Sequence, residues 1–153
     1  MSDDFDIAWM TDKTAELIFA AVAGDGGRCA DLLADVGERY GARGGYTLCC
    51  ALSTAIAEMG EYKSDQPGFW GFEVAHVDRG LLAPEDVDPD SRDVVYAMRF
   101  VIAHLNGDVE QKLALFHAFE TPEEHLALPI GLIKMVGAHG RHKLEEARDA
   151  APH

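Results

Sequence analysis

At 153 residues, 48% of them hydrophobic, the chain has the length of one domain and enough apolar surface for a core, which excludes an intrinsically disordered protein. Its 27 acids against 13 Lys plus Arg give a formal charge of −14, a field that repels nucleic acid and anionic membrane surfaces and favours encounter with a basic partner. No apolar run approaches the ~18 residues needed to span a bilayer.

The opening MSDDFDIAWM is acidic, with no positive stretch leading into an apolar one, so no signal peptide is read there and the cytoplasm is the expected compartment. Three cysteines, Cys29, Cys49 and Cys50, are an odd number, and two are neighbours in a helix-like run where side chains diverge. A disulfide framework is therefore not expected, and no pair has zinc-ligand spacing.

Apolar residues recur at three and four, and no alternating run is bounded by hairpin turns, so the fold class read from the pattern is all-α. The first helix is expected over Asp12 to Ala23, with Thr11 as N-cap, Leu17, Ile18, Ala21 and Val22 buried, and Gly24 as left-handed stop. Asp25 then caps a second helix that buries Cys29, Leu32, Leu33 and Val36 and is broken by GARGG (41–45). Tyr46 to Met59, YTLCCALSTAIAEM, is apolar around nearly its whole circumference, the mark of a helix enclosed by neighbours or by a second copy, hence an expected homo-oligomer. Cys49 and Cys50 read as small buried residues in it, since nothing basic lies nearby in the sequence to make either a thiolate.

From 61 to 89 the periodicity weakens into a connecting segment in which Phe69, Trp70 and Phe72 cluster between Gly68 and Gly71. Trp and Phe are common interface anchors, although aromatics in such stretches more often plug gaps over a core. EDVDPDSRD (85–93) follows. Asp86, Asp88 and Asp90 occupy the first, third and fifth positions of an EF-hand loop, but the glycine and glutamate required later are replaced by Ser91 and Ala97. The simpler reading is that Asp90 or Ser91 caps a helix starting near Arg92, with the acids at its positive end as a secondary acidic surface.

That helix carries a stripe of Val94, Val95, Met98, Val101, Ile102 and Leu105 and stops at Asn106-Gly107. Asp108 caps the next, with Val109, Leu113, Phe116 and Phe119 expected inside. Thr121, Pro122 and Glu124 form a capping box for a last helix carrying Leu126, Ile130, Ile133 and Val136 and kinked at Pro129, with a polar tail over 140–153.

LIFAAVAGD (17–25) aligns with FVIAHLNGD (100–108), and Leu32, Leu33 and Val36 meet Leu115, Phe116 and Phe119 at the same offset. With a shorter second loop, Ala55-Ile56 and Met59-Gly60 meet Leu132-Ile133 and Val136-Gly137. The expectation is one domain of about six main helices, possible repeat units being 11–60 and 90–148. No signature of a known helical repeat is present.

For chemistry, Glu73 and His76 form an E-x-x-H on one helical face, but the second pair of a di-metal bundle is missing. A mononuclear transition-metal site would need a third ligand from His104, His117 or Glu120. No nucleophile elbow or phosphate-binding loop occurs. With no complete catalytic set, the residues favour a binding protein over an enzyme: an inhibitor, adaptor or immunity-type module without cofactor, acting on a basic protein, with Phe69, Trp70, Phe72, Asp86, Asp88 and Asp90 as candidate contacts. The alternative is a helical metal- or small-ligand-binding enzyme built on Glu73 and His76.

Overall fold

The computed structural model describes residues 5–59, 92–118 and 126–150. They form five helices and no strand: α1 (Ile7–Ala23), α2 (Gly26–Met59), α3 (Arg92–Leu105), α4 (Val109–Phe116) and α5 (Ala127–Ala150). None of them is long and apolar enough to cross a membrane. The core is continuous, formed by α2 and α5 packed on each other with α1 and α3 on their flanks and α4 against α3. The repeat units, the connecting segment and the capping box at 121–124 fall wholly or partly outside the described residues.

α1 begins five residues before the expected Asp12. Asp6 is its N-cap, accepting from the Trp9 amide at 2.9 Å, while Thr11 lies inside the helix and donates back to the Ile7 carbonyl. The early start is held by contacts invisible to local pattern. The Asp6 amide donates to the Tyr40 hydroxyl at 2.8 Å, Phe5 and Trp9 pack on the Tyr40 ring, and Arg39 lies over Trp9 at 4.5 Å.

α2 is interrupted within the expected GARGG: Gly41 has φ 59 and ψ −140, a conformation open to glycine alone, after which the helix resumes. In the second half Leu48, Cys49, Leu52 and Ile56 have no exposure in the single chain. The rod expected to be enclosed is enclosed by α1, α3 and α5, so its burial needs no second copy.

The two Gly-Asp junctions are near copies. Gly24 and Gly107 take φ 75 and 69. The amides of Asp25 and Asp108 both donate 2.9 Å to the carbonyls of Ala20 and Ala103. Their carboxylates then cap the next helix at Arg28 and Gln111, each at 3.0 Å. Likeness fades beyond them: α4 ends at Phe116, and the proposed third pairing sets half-buried Ala55 on buried Leu132 and buried Ile56 on half-buried Ile133.

Three stripes are rotated from expectation. In α3, Ala97, Phe100, Val101 and Leu105 are buried, whereas Val94, Val95, Met98 and Ile102 are half-buried. In α5 the buried face is Leu128, Leu132, Met135 and Val136, leaving Leu126 and Ile130 exposed. Pro129 falls in the first turn of α5 as described, a position where a missing amide hydrogen forfeits no bond within Ala127–Ala150. In α4, Val109 and Leu113 are exposed while Lys112 and Leu115 turn inward.

α5 approaches its neighbours through glycines. A Cβ at Gly131 would run into the Asp93 carbonyl of α3, one at Gly137 would stand 2.8 Å from the Ala21 carbonyl of α1, and one at Gly140 would strike Val22. Lys134 clamps the first seam through Asp93 at 2.6 Å, and Arg141 the second by donating to the Ala21 carbonyl at 3.1 Å.

Candidate functional site

One buried cation organises the polar interior. On the second half of α2, Tyr46, Cys50 and Thr54 follow at intervals of four and so share one face. The end of α3 brings His104 to this face and the middle of α4 brings Lys112, which is only 9% exposed. The Lys112 ammonium donates to His104 Nδ1 at 3.2 Å and to Cys50 Sγ at 3.8 Å, and stands 5.9 Å from the centre of the Tyr46 ring. His104 Nε2 lies 2.8 Å from Thr54 Oγ1, and Thr54 donates its own proton to the Cys50 carbonyl at 3.1 Å. A neutral His104 with its proton on Nε2 satisfies every partner: Nδ1 accepts from Lys112 and Nε2–H donates to Thr54.

The electrostatics agree. Burial first, then the Lys112 charge, hold the imidazole below its ordinary 6.5, so it stays neutral. Burial, with the Cys50 and Cys49 sulfurs adding to it, pushes the Tyr46 phenol up. No carboxylate pairs with Lys112 among the described residues, so its neighbours there are an imidazole, a cysteine sulfur and an aromatic ring.

Of the residues singled out from the sequence, Phe69, Trp70, Phe72, Glu73, His76, Asp86, Asp88, Asp90 and Glu120 lie outside the described residues. His104 and His117 do not converge. His117 closes α4 as its C-cap, exposed, with its ring 5.4 Å from Phe116. Among the described residues no group of three His, Cys, Asp or Glu side chains is placed to hold a metal. Both nitrogens of His104 are engaged, and a cation there would face the Lys112 ammonium.

Lys112 is the residue the apolar pattern missed, because α4 offers Val109 and Leu113 as the obvious inward pair. The repeat alignment carried the missing signal: at its offset Lys112 falls on Cys29, a buried position.

Elsewhere, α1 and α2 border an apolar depression of about 350 Å³ lined by Phe5, Ile7, Met10, Ile18 and Ala51 among others. Ile7 at its rim and Phe19 further along α1 are 74% and 75% exposed.

Fold and seam together define an all-helical bundle protein with a Lys-His-Cys cluster between α2, α3 and α4. Compared with known proteins, the chain matches no family model, no curated protein and no solved structure.

Proposed function

We propose that the chain is a cytoplasmic protein-binding module, of the inhibitor, adaptor or immunity type, that engages a basic protein partner. The observation that carries this is the division of charge. The described segments 5–59, 92–118 and 126–150 hold 14 acids against 11 Lys plus Arg, a net −3, so −11 of the −14 falls on the residues outside them. The described residues are close to neutral, and 60–91, where Asp86, Asp88 and Asp90 follow Phe69, Trp70 and Phe72, carries −6 of the remaining −11. Acids steer a basic surface into encounter, and large aromatic side chains supply the buried area that holds it. Capture of a basic protein by the immobilised chain should fall steeply between low and physiological salt. Retention indifferent to salt would remove the electrostatic part.

Self-association, the second part of this reading, falls to α1, where Ile7 borders the apolar depression and Phe19 stands exposed further along the helix. Sedimentation of the wild type against Phe19→Asp tests it: the reading expects a concentration-dependent dimer lost in the variant.

The alternative is a metal enzyme built on Glu73 and His76 with a third ligand from His104, His117 or Glu120; of these, His104 accepts from Lys112 and lies 2.8 Å from Thr54 Oγ1. Stoichiometric metal in the purified protein, lost in His76→Ala, would establish that alternative.

A further inference from the structure

The three thiols occupy different environments. Cys29 and Cys49 are buried, and burial pushes both thiols up, so they are held neutral and shielded. Cys50 is half-buried, and an ammonium from another helix, 62 residues along the chain, points at its sulfur. The sequence offers no basic residue near Cys50; the fold supplies one.

We propose that Cys50 is a thiol-modification site, a nucleophile that takes up a low-molecular-weight thiol as a mixed disulfide, with Lys112 as its activating cation. Lys112 is buried without a carboxylate partner among the described residues, and a cation so placed gains by any negative charge arising beside it. The sulfur of Cys50 is the group within its reach that can carry such a charge, since the Tyr46 phenol and the His104 imidazole are both held neutral. His104 acts as a positioning residue: Thr54 fixes the ring through Nε2, and the Nδ1 lone pair then holds the Lys112 nitrogen on the sulfur side of the seam.

The step balances with one co-reactant, the disulfide form of a small cellular thiol. The Cys50 proton leaves to solvent, and the sulfur attacks one sulfur of that disulfide. A new S–S bond forms as the old one breaks, and the departing thiolate carries off the electron pair. Cys50 is oxidised and one half of the co-reactant reduced. Cys49, next along the helix, is fully buried, and Cys29 is buried on the far half of α2, so no second thiol of the described chain is exposed to resolve the adduct. It persists until an external thiol removes it. A co-reactant that carries carboxylates also brings Lys112 a counter-ion that the described residues do not provide.

The test is treatment of the folded, reduced protein at neutral pH with glutathione disulfide and, in parallel, iodoacetamide, followed by intact-mass and peptide analysis. The expected result is a single adduct on Cys50, with Cys29 and Cys49 reacting only after denaturation. Cys50 should alkylate faster in the folded chain than in the urea-unfolded one. Lys112→Met should slow it by about tenfold, while Lys112→Arg keeps most of the rate. Slower reaction of Cys50 in the folded wild type than in the unfolded chain would overturn the proposal without reference to any variant. So would an unchanged rate in a Lys112→Met protein of native helicity, or adducts spread over all three cysteines.

Discussion

His104 stays neutral because burial and the Lys112 charge both oppose a second proton. The folded state therefore binds this proton less readily than the unfolded chain does. Stability contributed by the neutral ring is complete above the unfolded value near 6.5 and is lost as the pH falls through that value toward the depressed folded one. Acidification also sets an imidazolium against the Lys112 ammonium and breaks the 3.2 Å hydrogen bond between them. Urea unfolding at about pH 7.5 and about pH 5.5 should show the wild type losing more stability than His104→Gln. Equal losses would mean that the ring is solvated in both states. The same scale shows what local pattern cannot deliver. Lys112 lies among apolar residues on a helix with two better candidates for the core, and what turns it inward is a face of α2 built from residues 46, 50 and 54.

At the scale of helices, six glycines divide by what their missing Cβ does. Gly24, Gly41 and Gly107 have positive φ with open space around them, so their need is conformational. Gly131, Gly137 and Gly140 are close-approach points for neighbouring chain. Gly41→Ala should cost ~1–3 kcal/mol through backbone strain alone. Gly131→Ala should cost a similar ~1–3 kcal/mol by forcing α5 off the Asp93 carbonyl. Gly37→Ala, in regular helix with nothing within 4 Å, should stabilise by ~0.4–1 kcal/mol. Urea midpoints of the three variants decide this, and a destabilised Gly37→Ala would show that α2 is packed there by something these contacts omit. Asp25→Ala and Asp108→Ala should each cost ~1 kcal/mol, since each carboxylate holds one amide at 3.0 Å in the same geometry.

These junctions were legible in the sequence because a left-handed glycine followed by a capping Asp is a local device, complete within nine residues. The break inside GARGG was legible because it too is set locally, by a glycine at positive φ. What failed was decided at a distance. α1 starts at Ile7 because Tyr40 and Arg39 hold Asp6 and Trp9 from another helix. The rotated stripes of α3 and α5 go with the one close approach between them at Gly131, where a bare backbone comes up to the Asp93 carbonyl and Ala97. Of the site, the sequence named His104 but with a metal-ligand role, whereas Cys50 and Lys112 come together only across 62 residues.

Over the whole chain, the described residues are nearly neutral and the remainder carry −11 of its −14. Leu48, Cys49, Leu52 and Ile56 are fully buried in the single chain, on a helix packed by α1, α3 and α5. In the proposed function, binding falls to Phe69, Trp70, Phe72, Asp86, Asp88 and Asp90. The most direct check compares the wild type with a variant in which the three aromatics become Ala and the three acids become Asn, both confirmed helical, for capture of basic proteins at low salt. The account predicts that the variant folds with native stability and retains none of the proteins that the wild type holds in a salt-sensitive manner. An unchanged set of captured proteins would contradict it and move the binding surface onto the bundle.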